Sequence, residues 1–186
     1  MMNVYEYESP LGTLILTSDD GEALTALYNK NQKYFPASLP EVDPKNVLLI
    51  FKETSKWLDV YFTGKNPDFT PKLAPKGTLF REKVWKILCE IPFGKVITYG
   101  EISKRLAKEM DLSTMSSQAV GGAVGHNPIS IIIPCHRVVG AGGNLTGYAG
   151  GLPKKIKLLE IEGLDMNKFY LPKEKSSSKE LSKKLF

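Results

Sequence analysis

Apolar and polar residues alternate over 2–8 and again over 13–17, on either side of Ser9-Pro10-Leu11-Gly12. This period of two predicts two strands joined by a turn. A third strand is expected after Asp19-Asp20-Gly21, over Ala23 to Tyr28. Residues 30–45 are polar and punctuated by proline, and read as loop. From Val47 to Phe62 the period becomes helical, with Ile50, Thr54, Trp57, Leu58 and Tyr61 on one face and Gly64 as the stop. The stretch 65–77, with three prolines, is the natural boundary between a first unit over 1–75 and a second over 76–170.

The second unit patterns mostly as helix. Thr78 can cap a helix whose stripe is Phe80, Val84, Ile87, Leu88 and Ile91, with Trp85 and Cys89 beside it, so Cys89 reads as a packing residue. Residues 99–107 and 117–125 form two short helices after the turn Pro92-Phe93-Gly94, an arrangement compatible with a helix-turn-helix but weakly diagnostic of one. The apolar run 129–133 predicts a buried strand leading into Pro134-Cys135-His136-Arg137. Residues 140–151, with six glycines, read as an irregular loop. A last helix starts at Pro153 and stops before Gly163, and 171–186 reads as a basic, mobile tail.

Composition narrows the classes. The chain has 186 residues, is 42% hydrophobic and carries a formal charge of +5. That suits a soluble globular protein with a lysine-rich surface, and equally a partner of polyanions. No run approaches 18 apolar residues, and the N-terminus lacks the basic and apolar regions of a secretory signal, so a cytoplasmic protein is expected, or a nuclear one in a eukaryote. The two cysteines, Cys89 and Cys135, are then expected to be reduced. With only two histidines beside them, at poor ligand spacing, no metal site is expected.

Three features point to chemistry. Cys135 leaves a buried run through a proline, which places a half-exposed, rigidly aimed thiol beside His136; a structural cysteine fits the same residues. Adjacent Gly121 and Gly122 should destabilise their helix by about 1 kcal/mol each relative to alanine, so some surface, a helix or a nucleic-acid groove, must approach that backbone closely. Glu162 ends its helix against the macrodipole, so it is either solvated or held by a donor such as a histidine.

The blocks IPFGKVITYGEIS (91–103), AVGGAVGHNP (119–128), IPCHRVVG (133–140) and GYAGGL (147–152) occur in that order. With them the chain resembles the O6-alkylguanine-DNA alkyltransferases, also called methylated-DNA–protein-cysteine methyltransferases, from Ser-Pro-Leu-Gly to Gly163. The resemblance implies an α/β fold: a small N-terminal region with an antiparallel sheet, ribonuclease H-like, and a mostly helical C-terminal domain with a winged helix-turn-helix-like motif. It implies a monomer that binds double-stranded DNA through the minor groove, flips out O6-alkylguanine and moves the alkyl group irreversibly to Cys135, with no cofactor. His136 would act as base through a water, Glu162 would orient it, and Asn127 would hold that network. Tyr99 would donate to the leaving guanine and crowd the DNA backbone. Backbone near Cys135 and Val138 would accept from the guanine amino group, the Ala149 N–H would donate toward O6, and Lys155 would support the loop. Ser117, Gln118, Gly121 and Gly122 would face DNA.

One position departs from the pattern. Relatives commonly place arginine before Ala-Val-Gly-Gly, where it fills the gap left by the flipped base, and this chain has Gln118. The competing functions are a non-catalytic alkyltransferase-like damage sensor, against which Cys135 argues, and a Cys-His hydrolase on another fold. The hydrolase would need an oxyanion hole and would leave the helix pair unexplained.

Overall fold

The computed structural model describes residues 2–30, 32–42 and 47–171. Apart from Leu171, the expected basic tail lies outside the described residues, as does part of the 30–45 loop. Strands β1 (Asn3–Ser9), β2 (Gly12–Ser18) and β3 (Ala26–Asn29) form an antiparallel sheet in that order. The Ser9 hydroxyl accepts from Leu11 N and donates to Gly12 O, and Gly12 supplies the positive φ that closes the hairpin. β2 is central, so Leu14 to Ser18 are buried on both faces. Helix α1 (Leu49–Phe62) lays Ile50, Phe51, Thr54, Trp57, Leu58 and Tyr61 inward, with Phe51 stacked on Tyr5 of β1.

The C-terminal part is helical. α2 (Leu79–Cys89) is capped by Thr78, and its Trp85 indole donates to Ala123 O at 2.9 Å, pinning it to α4 (Ser117–Gly125). α3 (Tyr99–Glu109) starts on a full capping box, in which Thr98 and Glu101 satisfy each other's backbone N–H. α3 and α4 pack together, with the Ser103 hydroxyl donating to that of Ser117. A two-residue strand β4 (Ile97–Thr98) pairs in parallel with β5 (Val138–Val139). This pairing sets the start of α3, and so Tyr99, beside the Cys135–Arg137 turn that precedes β5. α5 (Leu152–Ile161) closes the chain over that turn.

Two expectations need correction. The run 129–133 is buried but is not a strand. It makes one parallel bridge, Ile129 to Leu27 of β3, and then turns, with Ile131 at φ +71°. The physical cause is Asn127, whose side chain accepts from Ile129 N and donates to Ile133 O at 2.7 Å, folding the segment back on itself. Burial alone cannot distinguish that turn from an extended run. Cys89 is exposed at the end of α2, so it is not a packing residue.

The main apolar core runs from Leu14 and Leu16 of the sheet through Leu58 and Trp85 to Ile102, Val120 and Leu158, with a smaller cluster at Val139, Leu145 and Leu159. The N-terminal sheet and the C-terminal helices therefore share an interior. That interior brings α1 side chains within reach of the Cys135 turn. None of the described helices is long and apolar enough to cross a membrane.

Candidate active site

Cys135 sits at a cavity of about 190 Å³. α4 supplies one wall through Gly121, Gly122, Val124 and Gly125, the loop Gly147-Tyr148-Ala149 another, and Tyr99, Lys33 and Tyr34 the rest. The residue is only 4% exposed, so the expected half-exposed thiol is instead recessed. Asn127 stabilises the turn ahead of it, and Cys135 N donates to Ile133 O at 2.8 Å. Burial pushes the thiol up, against the hydrogen bond of Asn127 and the positive charge of Lys155. At rest the group is therefore a thiol, and it needs a base to become a nucleophile.

A histidine follows it in the same turn. His136 is fully buried, and its Nε2 is 2.6 Å from Glu162 Oε1. Glu162 also accepts from Tyr61 Oη at 2.9 Å and Gly94 N at 3.0 Å. Arg137 adds a two-pronged contact through Nε and Nη2. Burial alone would raise this carboxyl, but the hydrogen bonds from His136 and Arg137, with the Arg137 charge, outweigh it and hold Glu162 at about 2. An ionised Glu162 can only accept, so Nε2 carries the hydrogen and Nδ1 is left as the basic nitrogen. Burial, with Arg137 and Lys155 nearby, lowers the His136 pKa against the pull of Glu162, which keeps the ring neutral. Nδ1 has no protein hydrogen-bond partner among the described residues.

Lys155 is fully buried, with Nζ donating to Val138 O at 2.5 Å, Thr146 O at 2.9 Å and Gly147 O at 3.4 Å. It thereby ties β5 to the cavity loop. Burial brings it down to about 8, and the charge of a Cys135 thiolate opposes that shift. Tyr99 donates to Thr146 O and is pushed up to about 12, first by burial, so it enters the cavity as a donor.

The structure thus brings Cys135, His136, Glu162, Asn127, Lys155, Tyr99 and Ala149 together. It does not bring Val138 to the cavity: that residue is fully buried, is not part of the lining, and its carbonyl is turned to Lys155. Ser117 and Gln118 are exposed in the first turn of α4, outside the cavity lining. A Cβ added at Gly122 would meet nothing within 4 Å, and one at Gly121 only Tyr99 at ordinary contact distance. Packing inside the chain therefore does not demand either glycine, which removes the helix-partner explanation.

Several participants carried no sequence signal. Tyr61 reads only as a core position of α1, and Arg137 only as part of its motif. Lys33 and Tyr34 lie in a polar loop, yet Lys33 N donates to Ala149 O and the Tyr34 ring stacks on His126 at 4.0 Å. Nothing in a single sequence brings residue 33 to residue 149. No group of three or more His, Cys, Asp or Glu side chains suited to a metal occurs among the described residues.

Comparison with known proteins gives a consistent picture. Residues 4–75 match the model of the 6-O-methylguanine DNA methyltransferase ribonuclease-like domain, and residues 79–164 that of the DNA binding domain of the same family. A methylated-DNA–protein-cysteine methyltransferase of Methanosarcina acetivorans is 43% identical over 157 residues, 84% of this chain and 96% of that one. One from Mycobacterium leprae is 41% identical, covering 87% and 93%. The Mycobacterium tuberculosis OGT solved in complex with DNA superposes with a TM-score of 0.72 at 40% identity, covering 86% and 92%.

The buried ion pairs make stability depend on pH. The Glu162 carboxyl is depressed from 4.5 to about 2, so its contribution is complete above about 4.5 and is lost as pH falls through about 2. Glu162→Gln leaves Arg137 uncompensated and is expected to cost roughly 3 kcal/mol at neutral pH. Denaturant titrations of both proteins from neutral pH downward should show this gap closing in acid. A gap that is independent of pH would mean that the carboxylate charge does not hold the site.

Proposed function

The chain belongs to the 6-O-methylguanine DNA methyltransferase family, and from that premise we propose how its site performs direct-reversal DNA repair. Its N-terminal unit is 1–75 and its DNA-binding unit 76–170. The substrate is O6-alkylguanine in duplex DNA, bound by a monomer through the minor groove and rotated out of the stack into the Cys135 cavity. The observation that carries this reading is a recessed thiol backed by a neutral imidazole whose other nitrogen is committed to an ionised carboxylate.

The thiol proton passes by way of a water to His136 Nδ1, and Lys155 favours the resulting thiolate by its charge. Sulfur attacks the alkyl carbon, a C–S bond forms, and the C–O6 bond breaks with its electron pair leaving on guanine. The Tyr99 hydroxyl and the Ala149 N–H donate to that oxygen as charge develops. Glu162 orients His136 and balances the imidazolium, while Asn127 keeps the turn beneath Cys135 in shape. The product is a thioether without a good leaving group, so each molecule acts once. Intact mass after mixing with duplex O6-methylguanine should rise by one methyl per chain, and peptide mapping should place it on Cys135. Methyl on Cys89, or multiple turnovers, would overturn the mechanism.

The two α4 glycines support docking on DNA. A backbone stripped of side chains on an exposed helix face costs stability, and nothing inside the chain requires it. A narrow minor groove does. Gly122→Ala is therefore expected to stabilise the free protein, by up to about 1 kcal/mol, and to weaken binding to duplex DNA. Thermal melting and gel shift read the two effects, and unchanged affinity would move the DNA contact off this face.

Gln118 sits on the same exposed turn. It fills the vacated stack with a shorter, uncharged side chain than arginine. Gln118→Arg should speed single-turnover transfer from duplex by about tenfold, equivalent to about 1.4 kcal/mol, and leave transfer from free O6-alkylguanine unchanged, since a free base needs no flipping. Equal acceleration on both substrates would instead make position 118 part of the pocket.

A further inference from the structure

Glu162 Oε1 carries more donors than its task of orienting His136 requires. One of them comes from the far side of the chain. Tyr61, in the last turn of α1, is fully buried, and its hydroxyl is 2.9 Å from Glu162 Oε1 and 3.3 Å from His136 Nε2. Its ring stacks on Trp57 and meets Phe62, Phe93 and His136 edge-on, which holds the ring, and with it Oη, at this point. A phenylalanine would fill the same apolar space. The hydroxyl is thus not explained by packing.

We propose that Tyr61 is a positioning residue of the transfer reaction, acting through Glu162 from the N-terminal unit to set how strongly the carboxylate holds His136. The proposal rests on the alkyl-transfer reading above. The phenol keeps its proton: burial and the neighbouring Glu162 charge raise it well above the ordinary tyrosine range. It therefore donates to the carboxylate, and its lone pairs face Nε2–H. Each donor on Oε1 withdraws negative charge from the His136 hydrogen bond. Tyr61 thereby moderates a pairing that would otherwise hold the proton on the imidazole.

No proton is exchanged at Tyr61 in the cycle. The thiol proton goes to Nδ1, the Nε2 hydrogen stays on its bond to Glu162, and the Tyr61 hydrogen stays on its own. The groups that bear on the ring are Lys155 of α5 and Glu162 at its C-cap, Arg137 of its own turn, and Tyr61 of α1. Of these only Tyr61 can be changed by a single hydroxyl without altering net charge.

The sign follows. Removing the hydroxyl leaves Glu162 a stronger acceptor, so the His136 imidazolium is favoured and the neutral base is lost at higher pH. In Tyr61→Phe the acid limb of the single-turnover rate should move upward. Transfer on the acid side of neutrality should slow by about tenfold while the rate above neutrality stays near that of the unaltered protein. The substrate is duplex O6-methylguanine, methyl on Cys135 is read by mass, and thermal melting checks the fold.

In a Glu162→Gln background the same change should have little further effect, because Tyr61 acts through the carboxylate. An acid limb that is unmoved or moves downward, or additive losses in the double variant, would overturn the proposal even if the variant melts early. Failure of the unaltered protein to gain methyl on Cys135 would instead overturn the reading on which it rests.

Discussion

The arrangement turns on one buried carboxylate. Removing Glu162 from water is costly unless its charge is matched, and the chain matches it from several separate elements. Tyr61 comes from α1, Gly94 N from the turn after α2, and His136 and Arg137 from the turn before β5. Arg137 also binds Ile91 O at 2.6 Å, which fixes the same turn again. A carboxylate at a helix C-terminus opposes the macrodipole, and the neighbouring guanidinium offsets that penalty. The folds of both units thus converge on one oxygen pair. Any shift of α1 or of the 91–94 turn would be felt at the imidazole.

That convergence supports two opposed demands on the sulfur. A recessed thiol is protected from adventitious oxidants and alkylators, yet burial raises its pKa and suppresses the thiolate. The site answers with proximity rather than exposure. A neutral imidazole with a fixed tautomer adjoins the cysteine, and a buried lysine lowered to about 8 contributes charge while still serving three carbonyls. Lys155 holds the cavity loop and favours the thiolate at the same time. Loss of its side chain would open the loop and discharge the site together.

Local pattern was enough for much of the fold. The three N-terminal strands and the five α-helices among the described residues follow from apolar periodicity and from caps such as Thr78 and Gly64, with ends shifted by a residue or two, or by three at the start of β3. The run 129–133 was misread because five apolar residues report burial and not conformation. The deciding group, Asn127, acts through side-chain hydrogen bonds that periodicity does not register. β4 and β5 have two residues each, too short for any pattern, yet their pairing positions Tyr99. At the site, Cys135, His136 and Glu162 were legible from adjacency and helix-end chemistry and from the family resemblance. Tyr61, Lys33 and Tyr34 were not, because each reaches the site only through contacts distant in sequence. Val138 was assigned from its place in a motif, and the lysine that occupies its carbonyl lies 17 residues away.

The shared core explains why those distant contacts exist. Two small units folding alone would each expose a large fraction of their apolar surface. Here Leu58 and Tyr61 of α1 pack in the same cluster as Ile133, Cys135 and Leu158. Burying that surface against the C-terminal helices stabilises both units, and it necessarily orders α1 beside the Cys135 turn. A tyrosine there is then within hydrogen-bonding distance of the Glu162 carboxylate. The N-terminal sheet is also joined to the site by backbone, through Leu27 N to Pro128 O and Ser130 N to Leu27 O. The segment that carries Cys135 is therefore supported from the N-terminal side by main chain and by side chain, which makes the first unit part of the machinery that aims the sulfur.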